Sequence, residues 1–256
     1  SASSVTGDWL GRIGRWSAML GALIGIGTFA FAATSLIGTR REVQRAGYWV
    51  RRAGVLVVAG TAVEVLGASM VLGGGVFRGL APWSLLDVLS GAFGIAILLR
   101  VVGGAAMVQG TAIMTSESVA PLADSTSLRL GGNGSAVATA LATEPLTQTY
   151  RLDIHHSVTA LVGVVLVVAS YLFDGHTVTA SPAPIVRAAN VAHVFAAGVW
   201  VGGVLFMGRT LAARRRQGTP IDAAAIAIRF SRVAAVALAV VGVAGPSILL
   251  LKLIPI

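Results

Sequence analysis

Six apolar stretches, each long enough to cross a lipid bilayer, constrain this chain more than any other feature of its sequence. A helix needs roughly 20 apolar residues to cross about 30 Å of hydrocarbon. The chain has 256 residues, of which 55% are hydrophobic and only 11% are charged, so it is too apolar for a soluble globule. The predicted spans are residues 16–37, 53–75, 85–110, 156–173, 185–208 and 233–254.

These stretches predict an all-α fold, a polytopic transmembrane helical bundle of about six spans. One membrane domain over residues 1–256 accounts for the whole length, with the lipid bilayer as its surroundings. A polar segment at residues 115–153, rich in Ser, Thr and Gly, is predicted to be a long loop or a partly ordered segment. The motifs Gly21-x3-Gly25 and Gly198-x3-Gly202 predict close helix packing within the chain.

The arginines predict the orientation of the bundle. They concentrate after spans one and five, at positions 40, 41, 45, 51 and 52 and at positions 209, 214, 215, 216, 229 and 232. Because short cytoplasmic loops are enriched in basic residues, we expect both regions to be cytoplasmic and the N-terminus to lie outside. The net charge of +9 thus follows from membrane topology, and we expect no nucleic-acid partner.

Two charged residues lie deep within predicted spans. Glu64 in span two and Arg100 in span three are each about ten residues, or ~15 Å, from the inner end of their helix. A lone charge at that depth costs at least ~2.5–3.5 kcal/mol, so such residues normally find a partner. The sequence therefore predicts a buried Glu64–Arg100 ion pair, which either locks the two helices together or lines an ion path, with the locking role favoured.

Histidines and methionines are the soft-metal ligands of a chain that has no cysteine. His176 is predicted in the outer turn after span four, and His193 lies ~12 Å into span five from the same side. Met19 and Met70 are expected at comparable depth. Asn190, one helical turn outward from His193, could orient the imidazole or add an oxygen ligand. These five residues form the candidate metal site near the outer face.

A second group of possible ligands lies towards the predicted cytoplasmic ends of the spans. An outer and an inner group together are what a copper path would need, although most methionines in apolar helices are core residues. The inner group comprises His155, His156, Met107, Met114 and Met207.

The sequence around the candidate histidines is distinctive. Gly175-His176 is followed by the string NVAHVFAAGVWVGG at residues 190–203, and then by RFSR at residues 229–232 before another apolar helix. The earlier Phe93-Gly94 and the triplet LLR at residues 98–100 extend the pattern. The combination resembles the CopD family of bacterial copper-handling membrane proteins, most strongly over about residues 170–250.

This resemblance implies a multi-pass protein of the bacterial inner membrane that transports or delivers copper. Its partners would be the copper ion and a periplasmic copper-binding protein of the CopC type. His176 and His193 match the family histidines, whereas an acidic residue often stands in the family where this chain has Asn190.

Copper transport or delivery involves no chemical turnover, so the leading interpretation is that the protein is not an enzyme. Two alternatives remain open. The chain could be an accessory or assembly subunit of a larger membrane complex, such as a copper-requiring oxidase. It could also be a b-haem redox protein, because histidines on adjacent helices can serve as axial haem ligands.

Overall fold

The chain folds into a bundle of long helices, as the apolar pattern predicts. The computed structural model describes residues 2–75, 81–111, 116–119, 149–154, 157–174, 183–218 and 222–253, with the backbone alone at residues 2–4, 116–119 and 244–253. The helices are α1 (Ala2–Thr34), α2 (Arg40–Gly73), α3 (Pro82–Val88), α4 (Gly91–Gly110), α5 (Val158–Ser170), α6 (Ala183–Gln217) and α7 (Ala223–Leu253). Two short strands, β1 (Ser116–Val119) and β2 (Thr149–Leu152), accompany them.

The described residues contain five helices that are long enough to span a membrane, whereas the sequence predicts about six. The five helices long and apolar enough to cross a membrane are α1, α2, α4, α6 and α7. Helix α5, in the predicted fourth span, has 13 residues, which is only ~20 Å of helix. It still runs antiparallel to α4, because Ala160 lies against Gly110 and Gly163 against Gly103.

The helix ends differ from the predicted span ends because caps, and not apolarity, decide where a helix starts. Helix α2 begins at Arg40 instead of residue 53. A capping box sets this start: the Thr39 hydroxyl accepts a hydrogen bond from Glu42 N, and the Glu42 carboxylate accepts one from Thr39 N. The third predicted span is broken at its start. Helix α3 ends at Val88, and α4 begins at Gly91, whose φ of +70° favours glycine.

Helices α1 and α2 pack backbone against backbone through small residues spaced seven apart. A Cβ atom on Gly14 would lie 2.3 Å from the backbone nitrogen of Glu64, so only glycine fits there. A seven-residue repeat keeps one face of each helix in contact with the other along their length. The facing sets are Gly7, Gly14 and Gly21 on α1 and Gly67, Gly60 and Ala53 on α2.

Helix α6 runs parallel to α1 and packs on it through the predicted glycine motif. Gly27 lies against Gly202, and the Phe31 and Phe206 rings meet edge to face with centroids 5.7 Å apart. Phe230 of α7 meets the Phe31 ring at the same distance. The motif at residues 198–202 thus serves packing within the chain, as predicted.

The ends of the long polar segment are brought together. Strands β1 and β2 pair antiparallel, and Tyr150 forms a further bridge to Gly38 in the turn between α1 and α2. This hairpin base lies at the end of the bundle that also holds the start of α2 and the end of α6, here called the arginine-rich end. The two strands are consistent with the predicted loop or partly ordered segment, and residues 120–148 lie outside the described part.

Candidate functional site

Four charged side chains, three from helices and one from the turn after α5, meet inside the bundle. Arg100 Nη1 of α4 lies 2.9 Å from Glu64 Oε2 of α2, which is the predicted ion pair. The other carboxylate oxygen of Glu64 accepts from Arg15 Nε of α1 at 2.8 Å. Arg100 Nη2 binds the carboxylate of Asp174, just after α5. We call these four residues the charge cluster; it joins α1, α2, α4 and the end of α5.

The surroundings of Arg100 satisfy the remaining polar atoms of its buried guanidinium. Its Nε donates to the Ser170 hydroxyl at 3.3 Å, and the Tyr171 ring lies 5.1 Å below the guanidinium carbon. Two arginines face two carboxylates, so the formal charges of the cluster cancel. Arg100 and Glu64 are each only 2% exposed at the side chain, and pairing removes most of the cost of burying them.

Sequence reasoning missed two members of the charge cluster. Arg15 stands one residue before the predicted span 16–37, and Asp174 stands one residue after the predicted span 156–173. Both therefore looked like charges at the membrane surface. The true helix α1 begins much earlier, which places Arg15 well inside it.

An open cleft leads from the end of the bundle opposite the arginine-rich end to Glu64. Its volume is about 380 Å³, and glycines on α1 and α2 provide much of the space. Asp8 and Arg12, which pair at 2.8 Å, line it together with Arg15. Each carboxylate that faces the cleft, Asp8 and Glu64, is paired with an arginine. Among the described residues, the cleft therefore has no unpaired carboxylate that could bind a passing cation. The geometry thus favours the helix-locking role of the cluster.

His193 lies on an exposed face of α6. Its imidazole makes no hydrogen bond or ion pair within the described residues, and Trp200 and Val204 on the same face are exposed as well. The Asn190 amide donates to the Tyr171 carbonyl at 3.0 Å, so this amide group holds α6 to the end of α5. The amide nitrogen of Asn190 is thus bound to α5, while the predicted role of its oxygen beside His193 stays a prediction.

The candidate methionines are not assembled around His193. Gly27 against Gly202 and Phe31 against Phe206 fix a register that puts His193 level with Met19. Met70 lies beside Gly7 of α1. Gly7 precedes Met19 by twelve residues, so Met70 and Met19 are ~18 Å apart along the axis of α1. The expectation that Met19 and Met70 lie at comparable depth is therefore wrong, and Met70 is a buried core residue.

Met19 shares the depth of His193 but not its face. Gly198 and Gly202 form the side of α6 that packs on α1, and His193, five residues before Gly198, projects ~140° away from that side. Within the described residues no group of three or more His, Cys, Asp or Glu side chains could hold a metal ion. His176, the other predicted ligand on the outer side, lies outside the described residues, as do His155, His156 and Met114.

Met107, from the predicted inner group, is a core residue. It is 1% exposed, and its thioether fills the space beside Gly25, while Gly163 of α5 lies against its other side. Gly25 of the first glycine motif therefore packs against α4 within the chain. The neighbours that fix the position of Met107, Gly25 and Gly163, carry no side chain that could bind a metal.

Comparisons with known proteins identify no relative of this chain. No protein-family model matches it, and neither a curated protein nor a solved structure does. The resemblance to the CopD family stays a prediction. The structure shows a helical bundle with five helices, among the described residues, that are long and apolar enough to cross a membrane, as in a multi-pass membrane protein.

Proposed function

We propose that the protein transports copper across the bacterial inner membrane or delivers copper at that membrane, with His193 as a ligand. The observation that carries the proposal is the exposed imidazole among the apolar side chains of α6, which has no polar partner in the part of the chain that the structure describes. A polar group in hydrocarbon without a hydrogen bond is costly. A bound metal ion would supply the missing partner. Copper is named because the surrounding sequence resembles the CopD family and because the chain has no thiolate to offer.

The position of His193 favours delivery between molecules over passage through the bundle. One imidazole does not complete a copper site, and His193 projects away from α1, the helix that carries Met19. The further ligands would come from His176 or from a second protein that covers this face of α6, such as a copper-binding protein of the CopC type. An exposed ligand suits the exchange of a metal ion between two proteins.

Metal analysis of detergent-purified protein tests this proposal. We expect His193→Ala to abolish copper binding and His176→Ala to weaken it. The combined change His155→Ala and His156→Ala is the matched control, and it should leave copper content nearly intact. Ligand histidines must be neutral, so copper occupancy should fall when the pH is lowered enough to protonate them. Equal copper content in the wild type and in monodisperse His193→Ala would refute the site.

A second candidate function rests on the same exposed face. A partner subunit that buries His193, Trp200 and Val204 would also give the imidazole a hydrogen bond, and the chain would then be an accessory or assembly subunit. Other subunits that purify with the chain, in the absence of bound copper, would support this candidate. A Soret absorption band would indicate the b-haem alternative instead.

A further inference from the structure

A basic cavity lies between α2 and α6 at the arginine-rich end. Its volume is about 410 Å³, and its lining carries three arginines and no acidic residue: Arg45 from α2, and Arg209 and Arg216 from α6. Ala212 and Ala213 form the floor between the arginines and leave the space open. Three guanidinium groups around one cavity are suited to an anion with several oxygen atoms, such as a phosphate group.

The arginines of this cavity form no close ion pair with a carboxylate among the residues that the structure describes, and Arg45 interacts with Glu42 only at longer range. The neighbouring carboxylate, Glu42, is bound by Arg214 through two hydrogen bonds and also accepts from Thr39 N. Glu42 is therefore already neutralised by an arginine outside the cavity. The cavity retains a positive charge that an external anion would balance.

The cavity lies where the apolar part of α6 meets its charged end. Arg209 is the first charged residue after the apolar stretch of α6, and its guanidinium lies 4.5 Å from the ring centre of Trp49. A smaller adjoining cavity of about 160 Å³ shares Arg45 and Arg209 and reaches Trp49 and Phe206, with Glu42 and Thr210 also in its wall. Tryptophan is enriched at the level of lipid headgroups, so the ring of Trp49 lies beside the arginines at the depth where a headgroup would meet the protein.

We propose that this cavity binds the phosphate group of an anionic glycerophospholipid. The three arginines would hold the headgroup phosphate, and the glycerol and first acyl carbons would lie against Trp49 and Phe206. A basic pocket between transmembrane helices is a known solution for anionic lipid headgroups. Free phosphate shares the headgroup chemistry but gains nothing from the apolar part of the site.

Binding of short-chain lipids to the delipidated protein tests this proposal. The probes are dioctanoyl phosphatidylglycerol, dioctanoyl phosphatidylcholine and inorganic phosphate, each titrated by native mass spectrometry or calorimetry. The site variant is Arg45→Gln with Arg209→Gln and Arg216→Gln. The control variant, with the same loss of charge at exposed positions away from the cavity, is Arg41→Gln with Arg51→Gln and Arg232→Gln.

We expect phosphatidylglycerol to bind the wild type at least tenfold more tightly than phosphatidylcholine. Each arginine near the membrane surface contributes about fivefold, so the site variant should lose about a hundredfold and the control variant much less. Equal losses in the two variants would overturn the site. Inorganic phosphate that binds as tightly as the lipid would overturn the lipid assignment. If the triple variant does not fold, the single change Arg209→Gln gives the same comparison against Arg232→Gln.

Discussion

Arg214 donates two hydrogen bonds to the carboxylate of Glu42, at 2.7 and 2.9 Å, although the two residues are 172 positions apart in the sequence. The same guanidinium donates to the Ile37 carbonyl at 2.9 Å. The end of α6 is thereby tied to the turn between α1 and α2. Glu42 also caps α2, so one carboxylate both starts a helix and holds another helix to it.

Loss of this contact should loosen the arginine-rich end. We expect Arg214→Gln to lower the free energy of unfolding by about 1.5–3 kcal/mol, the usual worth of hydrogen bonds to a charged group. The measurement is thermal unfolding in detergent. Arg215→Gln, at the adjacent exposed position, is the control and should have little effect. Similar unfolding temperatures for the two variants would show that the Arg214 contact adds no stability.

The charge cluster should respond to single and double changes differently. Glu64→Gln or Arg100→Leu alone leaves a buried charge without its main partner, which typically costs about 3–5 kcal/mol. We expect each single change to reduce the yield of folded protein more than the two changes together. Arg15→Gln should cost less, since its side chain is 57% exposed. Effects of the Glu64 and Arg100 changes that simply add would mean that the two residues are not coupled.

The close approach of α1 and α2 should tolerate no side chain at Gly14. Alanine there would place its Cβ against the backbone of α2, so the helices would have to move apart, at a cost of about 1–3 kcal/mol or more. Gly11→Ala on the same helix is a matched control, because a Cβ at Gly11 meets no atom within 4 Å. Thermal unfolding should separate the two variants, and equal stability would contradict the observed packing.

The orientation of the bundle can be measured with single cysteines in this cysteine-free chain. A cysteine at Gln217 should be protected from a membrane-impermeant thiol reagent in intact cells, because the arginine-rich end is predicted to be cytoplasmic. A cysteine at the exposed Trp83, near the opposite end of α2, should react. Labelling at Gln217 with protection at Trp83 would reverse the assignment.

The sequence predicted the fold class and the Glu64–Arg100 pair because both follow from the lipid environment. Apolar length identifies the segments that cross the bilayer, and a charge within such a segment needs a partner. Neither argument depends on knowing which helices are neighbours. Where a helix begins, as at Gly91 or after Thr39, local backbone geometry decided instead, and the predicted boundaries were displaced.

The candidate metal site could not be predicted to the same extent because it depends on which faces of the helices meet. Residue counting placed Met19, Met70 and His193 at similar depths. It could not show that Met70 lies ~18 Å along α1 from Met19, nor that His193 projects away from α1. The depth of a residue in the membrane follows from sequence once the helix ends are known. The direction in which its side chain points around the helix axis follows only from helix packing, such as that of Gly27 on Gly202.

The order of the charge cluster along the chain bears on how the protein is made. Arg15 and Glu64 belong to the first helical hairpin, and Arg100 and Asp174 belong to the next pair of antiparallel helices. Each pair is electrically neutral by itself, so a hairpin that leaves the translocon can enter lipid with its charges already matched. If the two hairpins insert in this order, the Glu64–Arg100 contact has only to join two neutral units, and we expect insertion to leave no charge of the cluster isolated in hydrocarbon.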